Sequence, residues 1–134
     1  MRTNTFEIMK PLLILFLTAI LSVSCSSNGD FQVDDRLEGT WVLNNVVCFC
    51  FFDESTDFSL HQLVFDGNTV TVTNAGEPFF LIDGSGSYTL EDEVLTLENG
   101  EDFTYQVTDT TLILNSIDDP RLADAGITLS YTRL

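Results

Sequence analysis

Cys48, Phe49 and Cys50 are the residues of this chain whose types and spacing come nearest to chemistry. On an extended strand the two sulfurs project to one face, with Cα atoms about 6.5–7 Å apart by strand rise, the outer limit for a disulfide. A bulge would bring them into bonding range, and a somewhat strained bridge of this kind is easily reduced. His61 is the one histidine and follows Cys50 by eleven residues. Across a hairpin it would complete a Cys-x-Cys plus His set for a soft or borderline metal, although no fourth protein ligand is apparent. Three readings of Cys48, Cys50 and His61 stay open: a structural cysteine pair, packing alone, or metal and redox work.

Other reactive arrangements are absent from the sequence. Serines 55, 59, 85, 87, 116 and 130 lie in turns and on strand faces with one histidine to serve them, so a Ser-His-Asp set exists in inventory only. The carboxylates fall in turns or on outward parity, not in facing pairs as glycoside cleavage needs. There is no D-x-D-x-D-G loop and no phosphate-cradling glycine loop. The expectation is a protein that is not an enzyme and carries no cofactor.

Cys25 has a different meaning. It ends an apolar run, residues 12–23, that begins just after Arg2 and Lys10. A run of that length is too short for a bilayer, which takes roughly 20 residues, and has the layout of a secretory signal. Leu21-Ser22-Val23-Ser24-Cys25 resembles a bacterial lipobox, with Ser24 before the cysteine, although the leucine stands one position further back than usual. The resemblance implies a leader over 1–24, acyl chains such as palmitate on Cys25, and a lipid-anchored protein whose bulk is outside the cytoplasm. Ser26 after the cysteine implies sorting to the outer membrane. Residues 25–37 read as an acidic, flexible tether and 38–134 as one folded domain.

The formal net charge is −16. Losing residues 1–24 removes Arg2, Lys10 and Glu7 and leaves −17 on 110 residues. So acidic a surface repels nucleic acid, which is excluded as a partner, and anionic headgroups, so contact with a membrane falls to the lipid anchor.

From Gly39 onward, short alternating runs separated by turn residues mark an all-β chain. Phe103, Tyr105 and Val107 take one parity against Thr104 and Gln106. Leu129 and Tyr131 oppose Ser130 and Thr132. Strands are expected at about 39–50, 60–66, 69–73, 79–82, 86–91, 94–98, 102–108, 111–115 and 127–133, with a helical or irregular stretch only at 116–126. Asn99-Gly100 is the best type I′ hairpin signal. Such short connections force sequential antiparallel neighbours, and closure removes the edges, giving a small up-and-down barrel of eight or nine strands.

Gly39, Trp41 and Arg133 then resemble the G-x-W and terminal arginine of the lipocalin and calycin barrels. Leu37-Glu38-Gly39-Thr40-Trp41, Gly86-Ser87-Tyr88 and Leu95-Thr96-Leu97 are similar to the lipocalin-like domains of small bacterial lipoproteins. The resemblance implies a guanidinium stacked over the indole at the closed end and entry of a small hydrophobic ligand at the other. The second lipocalin motif is missing, since Thr108-Asp109-Thr110 lacks its aromatic. Leu63, Phe65, Tyr88, Leu90, Phe103, Tyr105 and Tyr131 are the candidate ligand-lining residues, and Phe79 is expected inward with them. Phe49, Phe51 and Phe52 are either a first strand packed on both faces or a lip over the mouth. The expected role is binding a small apolar molecule; the alternative is a filled barrel serving as an accessory subunit of an envelope complex, its partner unknown.

Overall fold

A computed structural model describes residues 32–117 and 126–134. Eight strands follow in order: β1 Gly39–Val47, β2 His61–Asp66, β3 Thr69–Asn74, β4 Gly86–Glu91, β5 Val94–Leu97, β6 Asp102–Val107, β7 Thr111–Ser116 and β8 Thr128–Arg133. Each pairs antiparallel with the next and β8 returns to β1, which closes the all-β, up-and-down barrel. The expected leader, Cys25 and most of the 116–126 stretch lie outside the described residues.

Alternation decides what fills the barrel. Leu63, Phe65, Val70, Tyr88, Leu95, Leu97, Phe103, Leu112, Leu114, Leu129 and Tyr131 all point inward and are buried in one cluster with Trp41 and Leu43. Val46 has the wrong parity to join Trp41 and Leu43, yet it packs on the same core. A bulge explains this. Leu43 pairs with Tyr131 and Asn45 with Ser130, so Asn44 is the extra residue that flips the following side chains to the other face. Asn44 Nδ2 donates to Thr132 Oγ1 on β8 at 2.5 Å, which holds the bulge in place.

Three expectations are corrected. Residues 79–82 form no strand: Pro78 has no N–H for a ladder, and Leu81 (φ 51°) and Asp83 (φ 61°) take left-handed backbone that strands exclude. Their unbroken apolarity has another cause, because Phe80 and Leu81 pack on the core while Phe79 and Ile82 stay 49% and 63% exposed. Strand β1 stops at Val47, so Cys48 and Cys50 leave the sheet before their turn. The Asn99-Gly100 turn is not two residues long: Leu97 N–H donates to Glu101 O, giving a three-residue loop in which Gly100 alone takes positive φ, 86°.

The barrel is least zipped between β3 and β4, which pair only at Thr69–Ser87 and Val70–Gly86. Beyond that point Ser85 Oγ stands in for a strand, accepting from Val72 N at 2.8 Å. Residues 75–85 spread into the gap and carry the apolar side chains of the mouth.

The opposite end is sealed. Arg133 Cζ stands 4.2 Å from the Trp41 ring centroid, in cation–π range. Its guanidinium also donates to the carbonyls of Asp109 (2.8 Å), Glu38 and Arg36. Trp41 Nε1 donates to Leu37 O at 2.7 Å, and Leu37 is fully buried. Gly39 has a reason to be glycine: its φ is 115°, and a Cβ there would stand 3.2 Å from Arg133 Nη1. Residues 34–37, the end of the expected tether, are thus part of the floor, with Arg36 paired to Asp34 at 2.7 Å.

Replacing the arginine tests this floor. Arg133→Lys keeps the charge and loses the planar fork, so urea unfolding should show a loss of about 1–3 kcal/mol. Trp41→Ala should cost about 3–5 kcal/mol. Wild-type stability in Arg133→Lys would show that the fork holds nothing.

Candidate binding cleft at the barrel mouth

The strand ends remote from Trp41 form the mouth, and aromatic side chains from two connections meet over it. Phe52 and Phe58 precede β2 and Phe80 follows β3; their ring centroids lie 5.2 Å (Phe52–Phe58), 6.1 Å (Phe52–Phe80) and 6.3 Å (Phe58–Phe80) apart. Beneath them His61 is 2% exposed, edge-on to Phe80 at 5.8 Å. A polar string runs through this apolar packing. Asn74 Oδ1 accepts from Phe80 N at 3.2 Å and lies 2.5 Å from His61 Nδ1, while Asn74 Nδ2 donates to Phe80 O at 3.0 Å. An oxygen that only accepts assigns the ring proton to Nδ1, so Nε2 accepts from the Tyr131 hydroxyl at 2.9 Å. Burial pushes the His61 pKa below 6.5, partly opposed by the Asn74 bond, and pushes the Tyr131 phenol well above 10. The neutral imidazole is the form this site holds.

Beside the cluster a cleft of about 510 Å³ opens between residues 79–82, the β5–β6 turn at 100–103, and the mouth ends of β7 and β8. Phe79, Phe80, Leu81, Ile82, Phe103 and Ile127 give it apolar walls, and Glu101, Asp102 and Ser116 a polar margin. That volume is within the range of small-molecule sites.

The candidate lining residues are placed differently from this cleft. Leu63, Phe65, Tyr88, Phe103 and Tyr131 are at most 3% exposed within the packed core, and of the seven candidates Phe103 alone also lines the cleft. Leu90 and Tyr105 are half-buried near the floor, where Tyr105 donates to Asp34 Oδ2 at 3.4 Å. Phe79, expected inward, is on the rim because the segment that carries it is no strand. Gly39, Trp41 and Arg133 do meet. Cys48 and Cys50 are joined by a disulfide, Cα to Cα 5.2 Å, in the bend after β1. They do not form a metal set with His61, whose two nitrogens are engaged elsewhere; among the described residues no three His, Cys, Asp or Glu side chains are grouped to hold a metal.

Asn74, Ile117 and Ile127 were not legible as site residues. Ile117 lies past the end of β7, where alternation has ended, whereas Ile127 keeps the inward parity of Leu129 and Tyr131 and packs on the core, so its parity gave a face but not its place on the cleft. The signal at residues 79–82 was present, as apolarity on both parities, but its cause was not. Comparison with known protein families, characterised proteins and solved structures finds no match to this chain.

The buried neutral histidine sets a sign for pH dependence. The unfolded chain takes up a proton near pH 6.5 and the folded chain resists it, so stability is intact above that pH and falls as pH drops toward the lowered native value. Unfolding free energies measured between about pH 7.5 and 5.5 should decline, and the decline should be absent in His61→Gln. An equal slope in both proteins would contradict the assignment.

Proposed function

We propose that the protein is a non-catalytic, lipid-anchored envelope lipoprotein whose lipocalin-like barrel binds a small hydrophobic molecule at its mouth. The cleft carries this reading: an open recess of about 510 Å³, walled by apolar and polar side chains alike, stands beside an interior packed with the protein's own side chains. Its place in the barrel agrees with an anchor at Cys25. The chain enters the barrel through the floor, where Leu37 lies under Trp41 and Arg36 donates to Val107 O. The mouth is at the far end of the barrel from that entry. The floor itself, indole under arginine beside a positive-φ glycine, is the arrangement that the lipocalin resemblance implies.

Charge narrows the ligand. Glu101 and Asp102 stand at the cleft margin of a chain whose formal charge is −16. A fatty-acid carboxylate would meet repulsion there, so a neutral or cationic amphiphile fits better. A second reading rests on one observation: Phe49 and Phe51 are 87% and 102% exposed, large apolar groups that an accessory subunit would bury against a protein partner.

A neutral fluorescent probe such as N-phenylnaphthylamine should bind the wild-type chain. Ile127→Asp should weaken it at least tenfold, about 1.4 kcal/mol, and Glu101→Gln with Asp102→Asn should raise affinity for fatty acids. Absence of probe binding, or binding that ignores Ile127→Asp, would remove the small-molecule reading. Retention of a membrane-complex subunit that is lost in Phe49→Ser with Phe51→Ser, while probe binding is absent, would favour the second.

A further inference from the structure

We propose that the Cys48–Cys50 bridge is a thiol–disulfide exchange site for dithiols of other polypeptides. The proposal draws on the extracytoplasmic setting argued above and is independent of ligand binding in the cleft.

A bridge placed to stabilise a fold usually joins distant segments, because its effect grows with the length of loop it closes. This one spans a single intervening residue, inside one bend after β1, and fastens no two strands. By loop-closure entropy a bridge across so short a loop contributes less than one that joins distant segments. The floor, the bulge and the core close the barrel without it.

The bridge is also within reach. Cys50 is exposed and Cys48 partly so, and exposed bridges are the labile, exchanging kind. Phe49 lies between the sulfurs and Phe51 follows them, 87% and 102% exposed, whereas the next aromatic, Phe52, turns back onto Phe58. Two bare phenyl rings around a reactive bond have no part in the core or the cleft. They suit docking of an unfolded or extended apolar peptide that carries cysteines, since burying them would draw such a segment onto the sulfurs.

The step balances without a metal or bound cofactor. A thiolate of the dithiol substrate attacks Cys50 Sγ, the more exposed; the substrate–Cys50 disulfide forms, the Cys48–Cys50 bond breaks, and Cys48 leaves with the electron pair and takes a proton. The substrate's second thiolate then attacks its own sulfur in the mixed disulfide and releases Cys50, which is protonated in turn. The substrate is oxidised by two electrons and the Cys48–Cys50 pair is reduced.

The test uses the full chain without its leader, in its oxidised form, with a reduced dithiol peptide bearing aromatic residues as probe and mass spectrometry after alkylation as readout. One peptide disulfide should form per chain, at a rate proportional to peptide concentration and at least tenfold above that with Cys48→Ser/Cys50→Ser. A single-cysteine version of the peptide, given to the oxidised wild-type chain, should leave a mixed disulfide at Cys50 with Cys48 as the free thiol, trapped by acid quenching and alkylation, because no second peptide thiol is present to resolve it. Phe49→Ser with Phe51→Ser should slow the peptide reaction several-fold and leave reaction with glutathione unchanged. Opening at a rate independent of thiol concentration would mean that the bridge yields only when the chain unfolds, and would overturn the proposal. Failure of the double cysteine variant to fold would assign the bridge to the scaffold and overturn it equally.

Discussion

The contact between Trp41 and Arg133 is the constraint on which this barrel depends. An up-and-down sheet is stable only if its last strand finds its first, and here the last described side chain but one reaches across that junction. The guanidinium covers the indole and satisfies three carbonyls, one from the β6–β7 turn and two from the segment that enters the floor. A single planar cation thereby ties the chain's entry, its first strand and a remote turn to the end of β8. Lysine offers a point charge and cannot serve these partners together.

Sealing one end this way leaves the other to take the irregular parts. Between β1 and β2, β3 and β4, and β5 and β6 the connections carry Phe52, Phe80 and the 100–103 turn to the mouth, and the short β3–β4 ladder gives them room. The interior does not stay hollow. Leucines, valines, Trp41, Phe65, Phe103, Tyr88 and Tyr131 pack it, and the Asn74–His61–Tyr131 string satisfies the polar atoms that reach it from the mouth side. The recess beside Phe79 and Ile82 lies at the rim, where apolar surface is still in contact with water.

Much of this was legible in the chain itself. Alternation from Tyr88 to Leu97 and from Phe103 to Val107 gave strands and inward faces, because each side chain there obeys the pleat. Gly39, Trp41 and Arg133 pointed to the floor through their resemblance to the lipocalin and calycin barrels, and the guanidinium does stand over the indole there. Legibility ended where backbone geometry broke period two. The Asn44 bulge reversed the face of Val46, left-handed Leu81 and Asp83 undid a strand that composition alone suggested, and the bend after Val47 brought Cys48 and Cys50 into a bridge that strand rise placed at its limit. The cleft shares that origin: its walls come from connections, whose paths no periodicity records.

Backbone and indole NMR shifts of the labelled chain, followed as a neutral apolar probe is added, test most directly the claim that binding belongs to the rim and not to the interior. The account predicts shifts at Ile82, Gly100, Phe103 and Ile127, with the Trp41 indole and Tyr88 unmoved. Shifts centred on Trp41, Leu63 and Tyr88 would mean that the core opens to admit the ligand and would contradict it.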